Sequence, residues 1–304
     1  MGSSLYQVLP AAQGVQSGLP VVAMLSGFSD AGQCTSQVAE HVFANLEAQP
    51  VVEFSSDELL DYRSRRPTML FEKDHITDYQ PARLAIYLAR DEVGREFLLL
   101  EGYEPDLRWE SFAEAILELL QRFEVAGFTW LHSIPFPIPH TRSVGITVSG
   151  NRSDLVERFS EWRPQTQVPG NVMHLLEYRL SPVFDVAGFV LLVPHYLADT
   201  EYPAAALKGF ELLTAATELV FPTDSLREDD HKFVGRLTQQ ISENAELEKL
   251  IATLEAGYSS SDFGPSRAPI RKPAQQVPSA EELAEQLENY LAQRLRSADD
   301  ESSS

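Results

Sequence analysis

Cysteine is almost missing from this sequence: Cys34 is the single one in 304 residues. No disulfide framework and no cysteine metal site can be built within the chain. Basic residues are scarce too. Only 24 Lys and Arg stand against 45 Asp and Glu, giving a formal net charge of -21. Polyanions are bound through clustered cations, so neither nucleic acid nor an anionic membrane is expected as a partner. No apolar run reaches the ~18–20 residues of a membrane helix. The start, Met1-Gly2-Ser3-Ser4-Leu5-Tyr6, lacks the basic region and apolar core of a secretory signal. A cytoplasmic protein is expected. Also absent are a Walker loop, a Gly-x-Gly-x-x-Gly fingerprint, a Gly-x-Ser-x-Gly elbow and a paired-histidine zinc motif. The common nucleotide folds, the hydrolase elbow and zinc chemistry therefore get no support. No cofactor and no metal are expected.

What is present is a globular pattern. The chain is 43% hydrophobic, enough for a sizeable core. Apolar runs of strand length recur at Val21–Leu25, Val51–Phe54, Leu84–Leu88, Phe97–Leu100, Trp130–Ile134 and Ala187–Val193. Such continuous runs suit strands covered on both faces. Helical patterns alternate with them, over roughly 31–46, at Phe112–Leu120, from Ser153 to Trp162, and from Tyr202 to Leu219. Alternation of this kind predicts an α/β fold with a mainly parallel sheet.

The character changes near Pro222. An α/β core is expected over 1–222 and a helical C-terminal region over 223–296. An approximate helical stripe runs from Arg227 to Ala256. A Ser-, Pro- and Gly-rich stretch over 257–278 predicts a flexible loop. A last helix is expected from Ala280 to Arg296, with Ser279 and Glu282 at capping-box spacing. The polar tail 297–304 is expected to be disordered.

The stretch Ser26-Gly27-Phe28-Ser29-Asp30-Ala31-Gly32 follows the first apolar run. A strand ending in a glycine-bracketed turn with an acid is how α/β proteins build a site at the carboxyl end of a sheet. Asp30 also suits the start of the following helix as a cap. Cys34 lies just inside that helix and reads as a buried structural thiol rather than an activated one.

Polar clusters close three other predicted strands. Glu101-Gly102-Tyr103-Glu104-Pro105 follows the run ending at Leu100. Pro139-His140-Thr141-Arg142 follows the run ending at Ile134. Pro194-His195-Tyr196 follows the run ending at Val193. The catalytic candidates are therefore Asp30, Glu101, His140 and His195. The ligand- or anion-binding candidates are Arg63, Arg65, Arg142 and Tyr196. An acid, imidazoles, a phenol and guanidiniums at one sheet mouth would suit acid–base or anion chemistry. Each has a structural alternative as a loop or interface residue. A Ser29, Asp30 and His195 triad can be drawn, from residue types too common to weigh much. Asp61-Tyr62-Arg63-Ser64-Arg65-Arg66-Pro67 is a basic island in an acidic chain. Its guanidiniums can grip phosphate or carboxylate, or pair with acids of a neighbouring subunit, the reading favoured here.

Taken in order, Gly27–Gly32, Asp61–Pro67, Glu101–Asp106 with Trp109 and Phe112, Pro139–Arg142 and Val193–Tyr196 resemble the proteasome assembly chaperone 2 family, in its bacterial, actinobacterial-type branch. The resemblance spans residues 20–196. It implies a three-layer α/β/α sandwich similar to nucleoside phosphorylases and related hydrolases, with the helical C-terminal appendage added. It also implies self-association, a homotrimer being favoured. Relatives assist proteasome assembly, and some dock through a C-terminal hydrophobic-Tyr-any residue tail. This sequence ends Asp299-Asp300-Glu301-Ser302-Ser303-Ser304, so docking of that kind is not expected. Two functions follow. The first is a non-enzymatic scaffold or assembly chaperone with a protein partner. The second is a small-molecule phosphorylase or hydrolase acting on a nucleoside-like substrate at the strand ends.

Overall fold

The computed structural model describes residues 5–163 and 165–260. In chain order the elements are β1 (Tyr6–Val8), β2 (Pro20–Ser26), α1 (Cys34–Asn45), β3 (Ala48–Phe54), α2 (Ser56–Leu59), β4 (Thr68–Glu72), β5 (His75–Gln80), β6 (Leu84–Arg90), β7 (Glu96–Tyr103), α3 (Trp109–Arg122), β8 (Gly127–Phe136), β9 (Gly145–Gly150), α4 (Ser153–Phe159), α5 (Val172–Leu180), β10 (Asp185–Pro194), α6 (Pro203–Thr217), α7 (Asp224–Ser242) and α8 (Ala245–Ser260). Eight strands form one sheet in the order β1-β3-β6-β7-β2-β8-β10-β9, and β4 and β5 form a separate hairpin.

The sheet is the middle layer of an α/β/α sandwich. Period-two alternation divides it: Val22 and Met24 of β2 point to one face, Val21, Ala23 and Leu25 to the other. On the first face α1 and α6 pack together over Val38, Leu131, Phe189 and Phe210. On the second, α3 and α5 cover Leu98, Leu100, Trp130 and Ile116. Each strand face thus has an apolar partner, which is why the apolar runs are continuous.

The expectation of a mainly parallel sheet is corrected. Only β7-β2-β8-β10, the middle of the order, pair parallel; β1, β3, β6 and β7 pair antiparallel in sequence, as do β10 and β9. Two-sided burial gives any central strand an unbroken apolar run, whatever its direction. Direction is set by the connection, and the turn between β6 and β7 is too short for a crossover helix. There Asp91 accepts hydrogen bonds from the N–H groups of Val93 at 3.0 Å and Arg95 at 2.7 Å. The six expected strands all appear; β1, β4, β5, β9, α2 and α5 were not foreseen. Strand β1 is three residues long with no buried position, and β4 and β5 are exposed almost throughout, so no buried apolar run marks any of them.

The stripe expected from Arg227 to Ala256 is two helices. The chain breaks at Glu243 and Asn244, and the Asn244 side chain accepts from the N–H groups of Glu246 and Leu247, both at 3.1 Å. That is helix capping, so α8 starts anew. Leu226, Phe233 and Leu237 of α7 join the core on the α6 side. The helix α8 continues through Gly257 to Ser260, past the point where a loop was expected to begin. The rest of that loop to 278, the helix over 280–296 and the tail 297–304 lie outside the described residues.

Candidate functional site

The parallel strands β2, β7, β8 and β10 all end on one edge of the sheet, where α/β proteins place their sites. The Gly27–Gly32 turn leaves β2 there. Asp30 forms a bridge with Ser133 of β8. Its carboxylate accepts four hydrogen bonds. One oxygen takes Thr35 N–H at 2.8 Å and Ser133 Oγ at 3.1 Å; the other takes Ser36 N–H at 3.0 Å and Ser36 Oγ at 2.7 Å. A single 3-10 turn, Ala31–Gln33, separates Asp30 from α1, so it caps the helix from three residues further back than usual. The acid thereby ties β2, β8 and α1 together.

Arg65 brings three sequence motifs to one place. Its Nε donates to Asp106 at 3.2 Å, its Nη1 to the Ser26 carbonyl at 3.3 Å, and its guanidinium lies 5.8 Å from the Tyr103 ring centre. The guanidinium rests on Gly27, at φ +126°. A Cβ there would come within 2.7 Å of Arg65 Cζ. The glycine is needed for that close approach. Asp106 also accepts from Asp61 N–H at 2.9 Å. Glu104, buried, accepts from Val172 N–H at 2.7 Å at the start of α5; burial pushes its carboxyl up.

Glu101 is different. It lines a small cleft with Ser26, Ser36 and Phe43 and makes no hydrogen bond to a described residue. Burial pushes its carboxyl up to about 7. An unfolded glutamate loses its proton near ~4.3. From there to about 7 the native state holds a proton that the unfolded state has released, so stability falls as pH rises through that window and is then flat. We expect Glu101→Gln to match the wild type near pH 4 and to exceed it by about 1–2 kcal/mol at pH 8. Urea melts across pH 4–8 check this; parallel curves for the two proteins would remove the buried-acid explanation.

The other candidates form a second group. His140 N–H donates to the Tyr196 hydroxyl at 2.7 Å, and His140 Nδ1 lies 2.7 Å from the same oxygen. Burial lowers the His140 pKa. Arg142 makes a two-pronged pair with Glu255 of α8, at 3.1 and 2.8 Å, and its guanidinium lies 5.5 Å from the Tyr258 ring centre. Thr141 also donates to Glu255. His195 is exposed, its ring lies edge-on to the Tyr196 ring at 5.6 Å between centres, and its side chain makes no hydrogen bond to a described residue. Asp30 makes no hydrogen bond to it. Arg63 is exposed and forms no ion pair with a described residue. No side-chain hydrogen bond joins this second group to Asp30, Arg65 and Glu101.

Two histidines at the mouth escaped sequence reading. His132 of β8 is buried, stacks at 5.5 Å on Phe28, and has an Nε2 without a hydrogen-bond partner among the described residues. Burial lowers its pKa to about 4, with His174 of α5 adding to the effect. His174 Nδ1 is likewise without a partner. A polar residue inside the run Trp130–Ile134 was the available signal. Nothing in the sequence placed residue 174 beside it, because α5 was not foreseen.

Cys34 has no exposed surface, and burial raises its thiol well above the ordinary value, with Asp30 adding to the rise. The structural reading of this residue is the one its surroundings match. We expect no reaction with a thiol-specific reagent in the native state and full reaction in denaturant; fast labelling of folded protein would overturn this.

Among the described residues no helix is long and apolar enough to cross a membrane, and no group of three His, Cys, Asp or Glu side chains is placed to hold a metal ion. The chain is similar in structure to a protein of unknown function from Mycobacterium tuberculosis, with 38% identity, a TM-score of 0.80, and coverage of 85% of this chain and 90% of that one. It is similar to a protein of unknown function from Corynebacterium glutamicum, at 31% identity and TM-score 0.81, covering 85% of this chain and 98% of that one. A Mycobacterium tuberculosis proteasome-assembly chaperone homologue shares the fold at 22% identity and TM-score 0.70, over 77% of this chain and all of that one (100%). No curated protein matches. The model of the PAC2 family matches residues 24–241, which takes in the Asp30 clamp, the Arg65 contacts and the carboxyl ends of the strands at the mouth. The chain belongs to the PAC2 family.

Proposed function

We propose that this protein is a non-enzymatic scaffold of chaperone-like kind. It acts through protein–protein contacts in the cytoplasm as a homo-oligomer, with a trimer the favoured form. One observation carries the reading: Asp30, the acid at the centre of the mouth, spends its carboxylate on four internal hydrogen bonds. Two of the candidate guanidiniums are spent in the same way. Arg65 is held by Asp106 and the Ser26 carbonyl, and Arg142 by Glu255. A catalytic or anion-binding group needs a free valence toward substrate. Likeness to the proteasome-assembly chaperone homologue supports the reading at the level of fold.

A second reading, a phosphorylase or hydrolase for a nucleoside-like small molecule, draws on Glu101. Burial pushes that carboxyl up to about 7, and it has no hydrogen-bond partner among the described residues, as suits a general base. His195, whose exposed ring makes no hydrogen bond to a described residue, would be its companion. The test is one pair of measurements on purified full chain. Phosphate and mixed nucleosides are offered, with binding followed by calorimetry and turnover by product analysis. No binding and no turnover, together with a stoichiometric protein complex isolated from the native source, is the expected result. Turnover that disappears in a folded Glu101→Gln variant would replace the scaffold reading with the second one.

A further inference from the structure

The cleft beside Glu101 has a volume of about 160 Å³ and lies on the α1 side of the sheet. Among its walls are Ser26 of β2, Glu101 of β7, and Ser36, Glu40 and Phe43 of α1. Two of the hydroxyls have already given their protons away. Ser26 Oγ donates to the Gly102 carbonyl at 3.2 Å, and Ser36 Oγ donates to Asp30 at 2.7 Å. A hydroxyl has one proton and two lone pairs, so what each still offers is an acceptor. The carboxyl groups of Glu40 and Glu101 make no hydrogen bond and no ion pair with a described residue, and once ionised they too can only accept. Apart from the Thr35 hydroxyl, which can turn either way, the oxygens of the lining side chains are therefore acceptors.

The charges around the cleft have the same sense. Ala85 of β6 is paired with Glu101 on one side and Glu53 on the other, so the three stand in one row on this face. Tyr87 feels Glu101, Glu53 and Arg83 together. Arg83 is exposed and forms no ion pair with a described residue. Glu40, Glu53 and Glu101 outnumber it, and Asp30 adds a further carboxylate behind Ser36. Phe43 is 39% exposed and is held edge-on by Tyr87 at 5.0 Å. An aromatic ring beside a carboxylate suits a cation leaving water.

We propose that this cleft receives the side-chain ammonium of a lysine from a partner protein. Glu101 takes the charge, Ser26 and Ser36 accept its other N–H groups, and the alkyl stem lies against Phe43. Acceptors from three elements surround the cleft, as the three splayed donors of an ammonium require; a guanidinium holds its donors in one planar fork. A volume of about 160 Å³, against ~30 Å³ for one water, admits an ammonium and the last few methylenes. This inference rests on the scaffold reading above and gives its partner a chemistry.

A proton is linked to the binding. Burial pushes the Glu101 carboxyl up to about 7, so the ammonium displaces a proton there. Lysine itself stays charged well above that pH. Between pH 8 and pH 5.5 the ionised fraction of Glu101 falls about thirtyfold, and binding weakens with it.

The test is an NMR titration of the full chain at fixed ionic strength, read at the amides of Ser36, Phe43 and Gly102. The probe is Nα-acetyl-lysine amide; the norleucine analogue, which lacks the ammonium, is the control, and 1,5-diaminopentane stands for a free diamine. Saturable shifts are expected with the lysine probe at pH 8 and none with norleucine. Binding is expected to weaken about thirtyfold at pH 5.5, at least about tenfold in Glu101→Gln, and about two- to fivefold in Phe43→Ala. Circular dichroism checks the fold of the variants, and the pH comparison needs none. No saturable shift, or equal shifts in wild type and Glu101→Gln, would overturn the inference and leave the scaffold reading standing. A diamine bound more than about tenfold tighter than the lysine probe would overturn the partner lysine in favour of a small polyamine. Lysine binding without a protein complex from the native source would overturn the scaffold reading, and the partner with it, while the cleft remained an ammonium site.

Discussion

Replacing Asp30 with alanine is expected to cost about 2–4 kcal/mol of folding stability. The carboxylate satisfies two N–H groups of the first turn of α1 and the hydroxyls of Ser36 and Ser133. Ser133 is fully buried and Thr35 nearly so, so their donors cannot turn to water when the carboxylate is gone. A lost cap alone costs about 1 kcal/mol, and each donor stranded in the interior adds about 1–3 kcal/mol before relaxation. Asparagine keeps one acceptor oxygen and turns an amide N–H₂ toward donors, so Asp30→Asn is expected to fall between alanine and wild type. Urea denaturation, read as a shift in midpoint at unchanged slope, measures both. If alanine changes stability by less than about 0.5 kcal/mol, the range of ordinary surface substitutions, the carboxylate is not the clamp. It would then be free for chemistry, and the proposed scaffold role would lose its main support.

Gly102→Ala is expected to cost about 3 kcal/mol or more, the sum of backbone strain and overpacking. Gly102 has φ +138° at the end of β7, a conformation that side-chain-bearing residues rarely adopt. An added Cβ would overlap the Arg83 carbonyl and lie 2.7 Å from Leu84 Cα. Both obstacles are backbone, and Leu84 is the residue paired with Gly102 in the antiparallel ladder. Neither can step aside without opening the β6–β7 pairing beside Glu101 and Tyr103. Gly27→Ala contrasts with it: the atoms in its way are the far end of Arg65, which can swing out. Thermal denaturation of the two variants side by side gives the ranking. A smaller effect at Gly102 than at Gly27 would mean that the β6–β7 pairing yields where the geometry says it is fixed.

The local features were open to sequence reading wherever one physical signal dominated. Val21–Leu25 and Ala187–Val193 had to be interior strands because no other placement hides so many adjacent apolar side chains. Asp30 was identifiable as a cap from the turn around it. Strand direction was not, because two-sided burial writes the same apolar run for parallel and antiparallel neighbours. The hairpin from Thr68 to Gln80 was hidden for the opposite reason: its side chains face solvent, so no burial pattern marks it. Residues 101–106 and the arginines near 65 were read as separate candidates, although Asp106 and Arg65 form one contact across 41 positions.

By itself the sequence determined the α/β class, the strand ends at which polar residues gather, and the acidic net charge. These follow from composition and short-range periodicity, which act within a few residues. Only the tertiary structure decided that Asp30 and Arg65 are spent on internal partners, that the Glu101 carboxyl, His132 Nε2 and His174 Nδ1 have no hydrogen-bond partner among the described residues, and that the apolar side chains of the β4–β5 hairpin stand exposed. Hydrogen-bond satisfaction and exposure depend on residues far apart in the chain, and no local pattern encodes them.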